Sequence, residues 1–153
     1  MNELNTMGWM LLPLKRYAEF SGRSRRKEFW LFFLFQMLVQ FAWLFLFIGF
    51  VVLSTNGFDP DPDDSGSAAF IIFPLIYAGF WLAMLVPNVA LVTRRFHDQN
   101  INGMVGILLY IATVLLTFPG LIILVFMAIE GKKGENQYGE DPKLITNIGK
   151  VFS

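Results

Sequence analysis

The only histidine in the chain, His97, stands directly before Asp98 and after Arg94, Arg95 and Phe96. An imidazole beside a carboxylate suggests acid–base chemistry, but adjacent residues do not readily orient one another, and no serine nearby is marked as a nucleophile. One histidine with scattered carboxylates is also too few ligands for a zinc site. With no cysteine in the sequence there is no thiolate nucleophile, thiolate metal site or disulfide. The acidic run Asp59, Asp61, Asp63 and Asp64 lacks the alternation and closing glutamate of a calcium loop, and Pro60 and Pro62 interrupt it. No metal and no cofactor are expected. What the sequence does offer is guanidinium and carboxylate. Arg23, Arg26 and Glu28 come early, Arg94, Arg95, His97 and Asp98 in the middle, and Asp141 late. Such sets form ion-pair lattices or hold phosphate, and a structural lattice is favoured over catalysis.

These polar groups must be positioned by apolar elements. Hydrophobic residues make up 55% of the 153 positions, with mean hydropathy +0.53. The formal net charge of zero hides a separation of sign along the chain. Basic residues fall at Lys15 to Lys27, at Arg94–Arg95 and at Lys132 to Lys150, with none between Lys27 and Arg94. The stretch from Phe29 to Leu53 carries no charge and would rise about 37 Å as a helix, enough to span a hydrocarbon core. Ser24 is placed to cap it, and Glu28 suits its positive end. Gln36 and Gln40 share one face, continued by Trp43, and that face should turn toward other helices. A second span is expected over about 68–92, bent by Pro74, Gly79 and Pro87, with Asn88 helping to satisfy the freed backbone. Residues 7–20 read either as an interfacial segment, helical after Pro13, or as a partly ordered tail, and residues 144–153 as a short tail beyond a single membrane domain over 1–143.

The apolar stretch 101–129 has two readings. As a single kinked span it would reach about 43 Å. Pro119–Gly120, however, divides it after Thr113 and Thr117, and two short halves would form a helical hairpin. Length favours one pass. Charge favours the hairpin, which keeps Lys132 and Lys133 on the same side as the other basic clusters. Gly103 and Gly106 lack the usual small-residue spacing for close helix approach, so little packing weight falls on them. The fold class is therefore an all-α integral membrane bundle: two full spans, then a third stretch taken as a hairpin.

Gly22-Arg23, Arg26 and Glu28-Phe29-Trp30 resemble the opening signature of a known family. Arg94-Arg95-Phe96-His97-Asp98 with Gly103 is similar to its middle one. Gly134, Asn136, Tyr138-Gly139 and Asp141-Pro142 resemble its closing one. These pieces, in order from about Leu14 to Lys143, identify the chain as similar to the YhaH/YhaI-type bacterial inner-membrane family, domain of unknown function 805. Met104–Val105 depart from the tryptophan usual there, which weakens any aromatic role after that loop. The resemblance implies no agreed activity. It does imply that all three signatures lie at span boundaries, and with the hairpin they meet in one cap on the cytoplasmic face.

Three function classes follow. Favoured is a non-catalytic inner-membrane protein, both termini cytoplasmic, whose Arg/Glu/His/Asp cap binds a partner or anionic lipid; a homo-oligomer or another membrane protein is the alternative partner. Second is a small oligomeric transporter or channel using Gln36, Gln40, Thr113, Thr117 and the broken helix at Pro119, with Asn88 a further intramembrane polar contact, though no span carries an ionisable residue. Third is a lipid-modifying enzyme built on His97 and Asp98. Nucleic acid is not expected, because no binding motif accompanies the basic residues.

Overall fold

The computed structural model describes residues 5–57, 65–115 and 119–143. The Asp59–Asp64 run and Thr117 lie outside the described residues. The helices are α1 (Thr6–Lys15), α2 (Arg26–Gly57), α3 (Ser65–Asp98), α4 (Gly103–Leu115) and α5 (Pro119–Ala128). Among the described residues the only β pairing is an isolated bridge between Asn136 and Gly139. The chain divides into two compact units, Phe35–Leu85 and the remainder, Met1–Leu34 with Val86–Ser153.

Within α2 and α3, Arg26–Leu53 and Phe70–Asp98 are long and apolar enough to cross a membrane. Burial separates these helices from the core helices of a soluble protein. Only 11% of the most apolar window of α2 and 6% of that of α3 is covered by protein. Leu38, Phe45, Leu53, Ile71, Leu75 and Leu82 all face outward. Apolar faces that extensive require a lipid solvent. Helix α3 runs through Pro74, Gly79 and Pro87 without a break in assignment.

The unit Phe35–Leu85 is held by aromatic rings. Trp43 stacks near Tyr77 at 5.7 Å between centroids, Phe47 meets Phe73 at 5.7 Å, and Phe50 meets Phe70 edge-on at 4.9 Å. Each step forward along α2 is matched by an equal step back along α3, so the two segments run antiparallel in constant register. Gln40 and Trp43 line one groove with Phe47, Phe73 and Tyr77, as their shared face predicts. Gln36 is buried in this unit, whereas Gln40 is exposed along the groove.

In the other unit the apolar stretch 101–129 forms a hairpin. Helix α4 has 13 residues and α5 has 10, rising about 20 and 15 Å, so neither crosses alone. Pro119 opens α5 at the first helical position, where its missing N–H costs nothing. The two helices pack together, and the far end of α5 returns to the end of α3, where Phe126 stacks on Phe96 at 5.5 Å. The single-span alternative is thereby set aside.

Three expectations need correction. The N-terminal helix lies mostly before Pro13 rather than after it. The Asn5 side chain accepts from the Gly8 N–H and starts α1, which buries Trp9, Leu12 and Pro13 and ends two residues past the proline. Ser24 does not cap α2, because the Arg25 carbonyl already accepts the first helical N–H groups, from Glu28 and Phe29, leaving the Ser24 hydroxyl free to donate to Glu28 Oε2. The glycine pair of α4 is a packing device after all. A Cβ at Gly103 would come within 2.5 Å of Thr93 Cγ2, and one at Gly106 within 2.7 Å of Phe96 Cδ2. The i,i+3 spacing turns both glycines toward α3.

Gly106→Ala should therefore destabilise by about 1–3 kcal/mol despite alanine's helix propensity, because Phe96 is fully buried and cannot yield. Gly79→Ala, with nothing within 4 Å of the added carbon, should stabilise by up to about 1 kcal/mol. Thermal unfolding of both variants in detergent reads the opposite signs.

Candidate functional site

The C-terminal turn of α5 leaves carbonyl groups without helical partners. Side chains from elsewhere in the unit take them. Gln99 Nε2 donates to the Phe126 carbonyl, and Arg95 donates to those of Met127, at 3.4 Å, and Ile129. Arg26 Nη1 donates to the Ala128 carbonyl at 3.1 Å. Cations also suit the negative end of a helix, which accounts for two of the arginines.

Asp98 joins this end to the start of α2. Its Oδ2 accepts from Arg95 Nη1 and its Oδ1 from Arg23 Nε at 3.0 Å. Both arginines and Asp98 are buried. Arg23 also gathers the closing loop, since Nη1 donates to the carbonyls of Gly134 and Gly139 at 2.6 and 3.3 Å and Nη2 to that of Lys132. The Lys132 N–H in turn donates to the Asp98 carbonyl at 2.8 Å. The chain passes so close to Asp98 that a Cβ at Gly131 would fall 1.8 Å from its Oδ2. Only glycine fits there.

A second centre surrounds Glu28. Its Oε2 accepts the Ser24 hydroxyl at 2.7 Å, and its Oε1 accepts from Arg94 Nη2 at 3.3 Å. Arg16 forks onto Glu19 at 2.7 and 2.8 Å and lies 3.9 Å from Glu28. Arg94 is wholly buried, and its Nε and Nη1 have no hydrogen-bond partner.

His97 forms the third. Its ring lies parallel to Tyr138 with centroids 3.9 Å apart. Its Nδ1 is 3.2 Å from the Gly22 carbonyl, which can only accept, so the proton sits on Nδ1. Asn136 Nδ2 donates to the His97 carbonyl at 2.9 Å, and the Asn136 Oδ1 accepts from Tyr138 N–H. Asp141 is held by backbone rather than by an arginine: Oδ2 accepts from Gly134 N–H at 3.1 Å and Oδ1 from Lys143 N–H at 2.9 Å.

The three groups of signature residues thus meet in one lattice. Several of its members were absent from the sequence-derived set: Arg16, Glu19, Ser24, Gln99 and Gly131. The i,i+3 spacing of Arg16 and Glu19 was a readable signal. Gly131, beside Asp98 only in three dimensions, left none. The candidate intramembrane contacts fare differently. Thr113 donates to the Leu109 carbonyl one turn back in its own helix, and Asn88 belongs to the unit with the lattice.

Two long apolar helices, a short helical hairpin and an ion-pair lattice at their ends define a helical membrane protein. The chain belongs to the family described as protein of unknown function (DUF805), which matches residues 17–140. It is 33% identical over 141 residues to inner membrane protein YhaI of Escherichia coli (strain K12), covering 92% of this chain and 100% of that protein. Inner membrane protein YhaH of the same strain is also 33% identical over 141 residues, covering 90% of this chain and 98% of that protein. No solved structure matches the chain.

Glu28→Gln should cost roughly 3–5 kcal/mol, because it leaves Arg94 buried beside a neutral amide. Glu130→Gln removes an exposed partner of Arg26 and Lys143 and should leave thermal stability unchanged. Asp141 also carries a pH dependence. The Lys143 N–H and then the Gly134 N–H hold its carboxyl below the ordinary 3.8. Its contribution is complete above that value and lost as pH falls through the depressed one. Acidification should raise hydrogen exchange across Gly134–Lys143, and Asp141→Asn should flatten that response.

Proposed function

We propose that this protein is a non-catalytic bacterial inner-membrane protein whose lattice faces the cytoplasm and binds anionic lipid headgroups. The observation that carries this reading is Arg23, whose guanidinium bonds Asp98 and the carbonyls of Lys132, Gly134 and Gly139. Among the described residues, Arg23, Arg95 and Lys132, one from each basic cluster, meet there around Asp98. Positive charge gathered at one end of a set of spans marks the cytoplasmic side, and basic groups beside an anionic leaflet contribute about 1 kcal/mol each.

The non-catalytic reading is supported by His97. Its Nδ1 is committed to the Gly22 carbonyl and one face of its ring to Tyr138, so the imidazole is held by structural contacts. Transport by way of the intramembrane polar residues is less well supported, since the Thr113 hydroxyl is bonded within α4.

The absence of native cysteine makes the topology directly testable. Cysteine introduced at Lys133 should react with an impermeant maleimide only in inverted inner-membrane vesicles. Protein extracted in mild detergent should retain phosphatidylglycerol or cardiolipin in preference to phosphatidylethanolamine. Labelling in intact spheroplasts would overturn the orientation, and a lipid complement matching the bulk membrane would overturn the lipid reading.

A further inference from the structure

The arginines of the lattice are committed inward, but the structure has a second set of cations that is not. Arg25, Lys27, Lys132 and Lys143 line a single cavity of about 280 Å³, with Arg26 and Arg95 of the lattice in its wall. Its two carboxylates are already engaged, Asp98 with Arg23 and Arg95, and Asp141 with backbone N–H groups. Arg26 and Lys143 share Glu130 at its edge. Among the described residues, no carboxylate lies within ion-pair distance of Arg25, Lys27 or Lys132.

We propose that this cavity binds a phosphate group. The proposal deepens the lipid reading above, and rests on it, by naming the pocket and the chemistry. The first argument is placement. Arg25, Arg26 and Lys27 occupy the start of α2, a helix of 32 residues. Cations there oppose the positive end of the helix dipole, and a bound anion removes the conflict. Glu28, the one acidic group in that first turn, is turned away to Ser24 and Arg94.

The second argument is preorganisation. The Arg25 guanidinium carbon lies 5.5 Å from the centre of the Trp9 ring, and its Nε donates to the Pro142 carbonyl. Those two anchors fix the plane and leave Nη1 and Nη2, which have no partner among the described residues, as a fork for two phosphate oxygens. Lys27 Nζ is held at 5.5 Å from the same ring. Lys132 is delivered by the loop that Arg23 and Asp98 pin down. Volume then limits the ligand: about 280 Å³ admits a phosphate with a small substituent, below the usual range for drug-sized ligands.

Phosphate reaches such a pocket either as a lipid headgroup or as a free ion. The test uses the full chain, delipidated in nonionic detergent, with short-chain phosphatidylglycerol, short-chain phosphatidylcholine and inorganic phosphate as probes, read by titration and thermal shift. The variant is Arg25→Gln/Lys27→Gln/Lys132→Gln, which changes only side chains that take no part in the buried ion pairs, with Lys133→Gln as the control outside the cavity. Phosphatidylglycerol should bind the wild type and the control alike, and the triple variant at least about tenfold more weakly. Protection by inorganic phosphate, lost in the same variant, supports the site with a free anion as its ligand. Equal phosphatidylglycerol binding by the triple variant overturns the pocket while leaving the lipid-binding cap intact. No phosphatidylglycerol or phosphate binding by the wild type overturns both.

Discussion

Asp98 held between Arg23 and Arg95 is the contact on which the rest of the lattice depends. Removing these groups from water is costly, and a buried ion pair often stabilises no more than a well-packed apolar one. Its value here is in what the partners do with their remaining nitrogens. Arg95 closes the open carbonyl end of α5, and Arg23 collects three carbonyls of the closing loop. Without Asp98 those guanidiniums would repel one another. With it, sequence positions 75 and more residues apart are fixed to a common point.

The two units solve the problem of holding helices together in different ways. Lipid tails are as apolar as the side chains between helices, so no hydrophobic force draws the helices together in the bilayer. Between Phe35 and Leu85 the answer is shape, a ladder of rings from Trp43–Tyr77 to Phe50–Phe70 in constant register. In the other unit the answer is close approach plus polarity. Gly103 and Gly106 bring α4 against Thr93, His97 and Phe96, and the ion pairs lock the ends.

What the sequence reveals follows from this division. Span lengths and the break at Pro119 depend on patterns local to the chain, charge-free runs and a helix-breaking pair, whereas the meeting of three polar boundaries is what the family resemblance implies. The helical register of Gln40 with Trp43 is equally local. What it conceals is partnership between distant positions. Gly131 looks like one more loop glycine until Asp98 is placed against it, and Ser24 looks like a helix cap until Glu28 takes its hydroxyl. The glycines of α4 are misjudged because a rule derived from pairs of long spans does not apply to a 13-residue helix seated on a neighbouring aromatic ring.

The same distinction divides the basic residues by role. Clustering makes Arg23, Arg94 and Arg95 conspicuous, and these are the buried ones, already saturated or enclosed by protein. Arg94, paired with Glu28 and 4.0 Å from Glu19 and without exposed surface, has no route to an external ligand. Residues that draw less notice in the sequence, Arg25, Lys27 and Lys132, remain at the edge with their charge uncompensated. The lattice neutralises its interior and leaves its unbalanced charge at the rim. Its buried arginines set the shape, while the charges of Arg25, Lys27 and Lys132 stay outside that network.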